Sequence, residues 1–274
     1  MKILAIIGSP KGKGNTYNTT KSVETSLREI DSDIEFEYLF LKDANLQPCK
    51  GCYLCFLKGE QFCPLQDDRE LIEQKMMKMD GVIFVSPVYG FNITWIMKSF
   101  IDRFAYVCHR PRFHGKKAMI ISTTGAVGLS FVLFLLGFEI GTWGYTVVSK
   151  LGVMCPPEKI LEEQERKLSK KTEKDINKAS AKFYSALNEN KARKPGFINL
   201  LSFKLQKHAF ARKDQSLADY KYWKSNGWLE KETKFYYNVK INVVTSAVTS
   251  IIAKVVTSKN PKPLVNINNN NIKL

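Results

Sequence analysis

Apolar residues fall into short solid runs along the first two thirds of the chain, with helical spacing between them. Ile3–Ile7 is apolar at every position, which suits a strand buried on both faces of a parallel sheet. Val23, Leu27 and Ile30 then recur at helical spacing, predicting a helix near 16–30. Ile34–Leu41 alternates loosely, with Phe36, Tyr38 and Phe40 on one side, and reads as a second strand. Residues 44–68 form a loop, after which Leu71, Ile72, Lys75 and Met76 resume helical spacing within Arg69–Lys78. Gly81–Ser86, Lys117–Thr123 and Tyr145–Val153 are the third, fourth and fifth strands. Helices are predicted over roughly 94–107, Gly128–Phe138 and Pro156–Asn190, the last with Glu158, Glu162 and Glu163 in its first turn as the helix dipole favours.

This β-α alternation predicts an α/β fold, a doubly wound five-stranded parallel sheet. A tight loop after the first strand points to strand order 2-1-3-4-5, the flavodoxin-like arrangement. Such sheets bind ligands beyond the carboxyl ends of their strands, where the order reverses. The loops after strands 1, 3 and 4 share that edge, and all three have unusual sequences: 8–16, 86–92 and 122–126.

The first of them is built to hold an anion. Gly8, Gly12 and Gly14 let the backbone approach closely. Ser9 and Thr16 offer hydroxyls, Lys11 a charge, and the N–H groups of the following helix point outward. A G-x-x-x-x-G-K-[ST] loop is excluded because Lys13 stands five after Gly8. A G-x-G-x-x-G loop is excluded because Tyr17 stands where its last glycine belongs. A cradle for a phosphate monoester remains, with an ordinary turn as the alternative.

Gly8-Ser9-Pro10-Lys11 with Gly14-Asn15-Thr16 resembles the phosphate loop of NAD(P)H-dependent FMN reductases. Ser86-Pro87-Val88-Tyr89, then Phe91-Asn92 and the stretch Met97–Arg103, resembles that family's second signature, and Thr123-Thr124-Gly125 its third. The resemblance covers about residues 1–190. It implies that Ser9, Lys11, Gly14, Asn15 and Thr16 hold the FMN phosphate. It further implies that Pro87, Val88, Tyr89, Gly90, Phe91, Thr124 and Gly125 line the isoalloxazine ring, with NAD(P)H as a transient donor. Tyr89 and Phe91 could instead be packing beside a turn, and Lys11 a solvated lysine.

Cys49, Cys52, Cys55 and Cys63 are spaced C-x2-C-x2-C-x7-C, close enough for four thiols to meet at one centre, with Gly51 and Gly59 allowing tight turns. Their loop resembles that of the iron–sulfur flavoproteins, a branch of the same family, down to the trailing Asp67-Asp68. The resemblance implies a [4Fe–4S] cluster beside FMN. Zinc takes four thiolates as well, and a metal-free thiol loop is the third reading. Following strand 2, the loop is expected at the same sheet edge as the flavin loops. Flavin handles electron pairs and a cluster single electrons, so together they would convert one to the other. No catalytic acid–base pair stands out. Cys108, Cys155, His109, His114 and His208 are read as packing or surface groups.

Composition narrows the setting. The chain has 274 residues, 44% of them hydrophobic, enough for a real core. The opening apolar run is too short for a signal peptide, and Ala126–Phe138, the longest apolar stretch, is too short to span a membrane. A cytoplasmic setting is expected, where cysteines serve as ligands or redox groups rather than in disulfides. The net charge of +16 is concentrated in residues 151–274, which hold 24 of the 42 Lys/Arg and 11 of the 26 Asp/Glu.

Two domains are expected: 1–190, a flavin-binding body carrying the cysteine loop 44–68, and 191–274, a basic, mainly helical extension divided off at Lys194-Pro195-Gly196. The extension contains an amphipathic stretch, Phe197–Phe210, an aromatic-rich one, Asp219–Trp228, and Ile241–Val256 with Val244, Val248, Ile251 and Val255 at helical spacing. Asn266–Asn271 is read as a frayed end. The extension is too small to fold alone and is expected to pack on the body or on a second subunit. An anionic membrane surface and nucleic acid are lesser alternatives. The whole reads as a dimeric flavoprotein moving electrons from reduced nicotinamide or ferredoxin to a one-electron partner or small acceptor. A cluster-free quinone, azo or nitro reductase and a non-enzymatic electron carrier docked by its tail are the alternatives.

Overall fold

Five parallel strands form one sheet in the order β2-β1-β3-β4-β5. They are β1 (Lys2–Ile7), β2 (Glu35–Phe40), β3 (Gly81–Pro87), β4 (Lys117–Thr124) and β5 (Thr146–Met154). The structure, a computed structural model, describes residues 1–156, 162–189, 194–211 and 215–258, with backbone only at 162–168. The Asn266–Asn271 end and Glu158 lie outside the described residues. The chain divides into two compact units: Met1–Cys49 with Asp67–Ala105 and Gly115–Asn190, and Lys50–Gln66 with Tyr106–His114 and Lys191–Leu274.

The first unit is the doubly wound sheet. The central strands β3 and β4 are buried at every residue, because helices cover both faces. On one face Ile3, Ala5, Ile7, Ile83, Val85, Met119 and Ile121 pack against Val23 and Leu27 of α1 (Asn15–Ile30) and Phe183 of α7 (Glu162–Leu187). Alternate residues face the other way. There Phe84 meets Phe100 of α4 (Trp95–Arg103) and the indole of Trp143, which follows α6 (Leu129–Thr142). The helix α3 (Arg69–Lys78) contributes Ile72 and Met76, whereas Leu71, expected on the same stripe, is exposed. The edge strand β2 is only half-covered and carries an aromatic ladder of Phe36, Tyr38 and Phe40 with Tyr17 beside it.

The helix expected over 94–107 is two: α4 stops at Arg103 and α5 (Ala105–His109) restarts beyond Phe104. Within the cysteine loop lie one short helix, α2 (Leu54–Leu57), and a 3-10 turn at Glu60–Phe62.

The second unit has its own apolar centre. Leu200, Phe203 and Phe210 of α8 (Phe197–Ala211) and Trp223 of α9 (Ala218–Ser225) are buried with Trp228 and Phe235. The apolar positions expected along Phe197–Phe210 are thus largely consumed by packing. The last helix, α10 (Val243–Ser258), forms where the spacing predicts it, with Val244, Val248, Ile251 and Val255 exposed and Thr249 and Ala253 buried. The Lys204 ammonium explains this orientation. It donates to the Ser246 carbonyl and to the Ser246 and Ser250 hydroxyls, so the polar side of α10 must face α8. Among the described residues no helix is long and apolar enough to cross a membrane.

Candidate functional site

Three loops leave the carboxyl ends of β1, β3 and β4, and hydrogen bonds lace them together. Gly8 N–H donates to the Val85 carbonyl at 2.8 Å, and Val88 N–H to the Thr123 carbonyl at 2.8 Å. The Thr94 hydroxyl donates to the Gly8 carbonyl at 2.5 Å and accepts from Met97 N–H at 3.2 Å, so one buried side chain caps α4 and fastens the end of β1. Ser86 Oγ accepts from Thr94 N–H at 3.2 Å. A methyl at Gly8 would sit 2.7 Å from Met97 Cε and 2.9 Å from Met97 Cβ, so the close approach of loop and helix requires glycine there.

The first loop turns tightly, Gly12 N–H donating to the Ser9 carbonyl at 3.1 Å, and then enters α1. Gly14 at the N-cap offers no side chain to the helix, and the first turn carries no acidic residue. The N–H groups and positive dipole end of a 16-residue helix therefore keep their capacity for an anion. The hydroxyls of Ser9 and Thr16 are buried, and Thr16 Oγ1 shares a hydrogen bond with Thr123 Oγ1 at 2.8 Å. Lys11 is exposed. Lys13 is drawn over the Tyr17 ring, and the Lys42 side chain passes over Gly12. This donor set, with no carboxylate in the loop, fits a phosphate monoester.

The second loop is a two-residue hairpin. Tyr89 and Asn92 exchange both backbone hydrogen bonds at 2.9 Å, with Gly90 and Phe91 both at positive φ, 54° and 61°. Phe91 holds a left-handed backbone that costs a bulky residue energy, yet the residue is 66% exposed. The two-residue turn itself imposes this backbone, and the side chain is left open. In the third loop Thr124 Oγ1 donates to the Val127 carbonyl at 2.7 Å, leaving Gly125 exposed. Gly128, at φ 95°, lies so close to Val88 that a Cβ would come within 2.8 Å of its Cγ1. Burial pushes the thiol of Cys155, whose N–H donates to the Thr124 carbonyl at 2.7 Å, up from its ordinary value, so it stays protonated.

The sequence reading overlooked Thr94, Thr123 as a partner of Thr16, and Lys42. Thr94 carried a signal: a threonine ahead of an apolar helical run is an N-cap. The other two become visible only when strands far apart in sequence are neighbours.

The cysteines behave differently. Asn45 N–H donates to Asp68 Oδ2 at 2.9 Å, Asp68 N–H to the Asn45 carbonyl at 2.8 Å, and Gln47 N–H to Asp67 Oδ2 at 3.0 Å. Asp67, nearly solvent-free, also receives a two-toothed contact from Arg103 Nη2 at 2.8 and 2.9 Å. The trailing Asp67-Asp68 is therefore the clasp of the loop. Beyond it Cys49 is exposed and Cys52, Cys55 and Cys63 are half-buried. Left-handed backbone at Gly51, Tyr53 and Gly59 directs their path. Among the described residues no group of three or more His, Cys, Asp or Glu is arranged to hold a metal ion. The meeting of four thiols expected from their spacing is not seen among the described residues.

The family model for NADPH-dependent FMN reductases matches residues 1–150. An iron-sulfur flavoprotein of Archaeoglobus fulgidus is 29% identical over 233 residues, which is 84% of this chain and 100% of that one. An iron-sulfur flavoprotein of Clostridioides difficile is 29% identical over 195 residues, 70% of this chain and 81% of that one. Among solved structures, RosB with its bound intermediate 8-demethyl-8-formylriboflavin-5'-phosphate superposes with a TM-score of 0.55 at 12% identity, over 89% of this chain and 92% of that one, a likeness of fold. With the family model matched over more than half its length, and with three laced loops at the reversal point of a 2-1-3-4-5 sheet, the chain belongs to the NADPH-dependent FMN reductase family and is an FMN-dependent oxidoreductase.

Proposed function

We propose that FMN is seated with its phosphate in loop 8–16 and its ring against 87–91 and 124–125, and that NAD(P)H or a reduced ferredoxin supplies the electrons. The observation that carries this is the open N-terminus of α1, flanked by the buried hydroxyls of Ser9 and Thr16. Bound FMN supplies acceptance of a hydride and release of electrons one at a time. The chain's residues bind and orient. Ser9, Thr16, Asn15 and the N–H groups around Gly14 satisfy the phosphate oxygens, and Lys11 adds charge. Tyr89 and Phe91 shield the ring from water, and Gly125 lets the backbone approach it.

We propose further that Cys49, Cys52, Cys55 and Cys63 take up an iron–sulfur cluster. Four cysteine thiolates are its usual donor set, and the two relatives above bear the name iron-sulfur flavoprotein. The thiols as they stand do not form a metal-holding group among the described residues, so uptake would require the loop to close around the cluster. A homodimer is the proposed assembly. It is supported by Phe131, Phe134 and Phe138, exposed along one side of α6 at helical spacing.

Anaerobic purification followed by flavin, iron and sulfide counts tests the reading. One FMN with about four irons and four sulfides per chain supports both proposals. FMN without sulfide, or with zinc, leaves a cluster-free reductase. No FMN at saturating concentration ends the flavin proposal.

A further inference from the structure

The second unit contains an ionic node that neither the fold nor the flavin site requires. Arg110 is 2% exposed, and a guanidinium so buried must have its charge matched. Its Nη1 donates to Asp219 Oδ1, and its Nη2 donates to the Cys55 carbonyl at 2.7 Å and to Glu60 Oε2 at 2.9 Å. Arg112 Nη1 donates to Glu60 Oε1 at 2.7 Å, and His109 Nδ1 pairs with Asp219 Oδ2 at 2.8 Å. Cys55 and Glu60 belong to the cysteine loop, and Asp219 to α9 in the C-terminal extension. Burial raises the Glu60 carboxyl, but Arg112 and Arg110 outweigh it and hold the group below its ordinary range.

We infer that Asp219 is a positioning residue for the cysteine loop: by neutralising Arg110 it keeps the guanidinium buried, and the guanidinium in turn holds the peptide at Cys55 and the side chain of Glu60. Five groups share the node: two guanidinium cations, two carboxylates and the imidazole of His109. Removing the Asp219 charge leaves the node with an excess cation, and the side chain then relaxes by swinging toward water and releasing the Cys55 carbonyl. The adjoining packing supports this geometry. Trp223 Nε1 donates to the His109 carbonyl at 2.7 Å, and the Phe56 ring lies 4.6 Å from that of His109. The extension thus acts as the brace of the thiol-bearing segment. The consequence for cluster uptake rests on the reading of that segment given above; the bracing itself does not.

The experiment is hydrogen exchange on the full chain, wild type against Asp219→Asn, Asp219→Glu and Arg110→Lys. The reporters are the amides of Phe56, Leu57, Lys58 and Gly59, which donate to the Tyr53 and Leu54 carbonyls. Loss of a charged hydrogen bond predicts roughly 10–100-fold faster exchange there in Asp219→Asn, with unchanged exchange in β1 and β3. Asp219→Glu, which keeps the charge, restores protection in part. Arg110→Lys cannot fork to both partners and matches Asp219→Asn. Should Asp219→Asn melt the extension as a whole, Arg110→Lys decides by the same reporters. Exchange within about twofold of wild type in both variants overturns the inference. Iron uptake under anaerobic reconstitution separates the two proposals. A wild type that takes up no iron ends the cluster proposal and leaves the brace to the exchange data, whereas full uptake with unchanged exchange ends the brace and leaves the cluster.

Discussion

Thr94→Val removes one oxygen from the knot joining the loops after β1 and β3 while preserving shape. Thr94 is fully buried, and its hydroxyl serves two backbone groups, the Gly8 carbonyl and the Met97 N–H. Losing an N-cap costs about 0.5–2 kcal/mol, and leaving the buried Gly8 carbonyl without its donor costs about 1–3 kcal/mol. The two overlap, so roughly 2–4 kcal/mol of stability should disappear. Because Gly8 opens the loop proposed to hold the FMN phosphate, a share of about 1.4 kcal/mol expressed in loop geometry should weaken FMN binding about tenfold. Urea unfolding followed by circular dichroism reads the first quantity, and quenching of flavin fluorescence on titration reads the second. Thr94→Ser keeps the oxygen and should lose about 1 kcal/mol or less. If Thr94→Val unfolds within about 0.5 kcal/mol of wild type and binds FMN as well, the knot joining β1, β3 and α4 is not what orders the loop.

Asp67→Asn or Arg103→Ala strands one member of a buried ion pair and should cost about 3–5 kcal/mol in the same unfolding assay. Phe91→Gly relieves a left-handed backbone, so stability should hold or rise by up to about 1 kcal/mol while FMN affinity falls; a loss of both means the ring is packing, not a ligand contact. Burial pulls the His114 imidazole down to about 4. The unfolded chain therefore binds a proton that the folded chain refuses. Stability should fall as pH drops from about 6.5 to about 4, by at most about 1.4 kcal/mol per unit, and level off below. Denaturation monitored by tryptophan fluorescence, with His114→Phe expected to flatten that slope, checks it.

The sheet was legible because its strands are apolar on both faces: Val82–Val85 and Ile3–Ile7 have few other places to go. The loop residues were legible because glycines and hydroxyls at the end of a strand have a physical purpose there. Partnerships across the sheet were not. Nothing near Thr16 in sequence announces Thr123, and nothing near Cys55 announces Arg110 or Asp219. The spacing of Val244, Val248, Ile251 and Val255 announced a helix but not which side of it packs, which depends on Lys204, distant in sequence, holding its serine side. The second unit gathers 50–66 and 106–114 with 191–274, segments whose membership depends on contacts distant in sequence.

The clasp formed by Asn45, Gln47, Asp67 and Asp68 brings the two ends of residues 48–66 side by side at a narrow neck. A chain excursion tied off in this way is topologically an appendix: doubling its length costs the scaffold only about 0.6 kcal/mol of closure entropy. Residues can be added beyond the neck at little cost to the register of the sheet, provided that Cys55, Phe56 and Glu60 keep their places beside Arg110 and His109. The same sheet can thus serve reductases whose appendages differ in length.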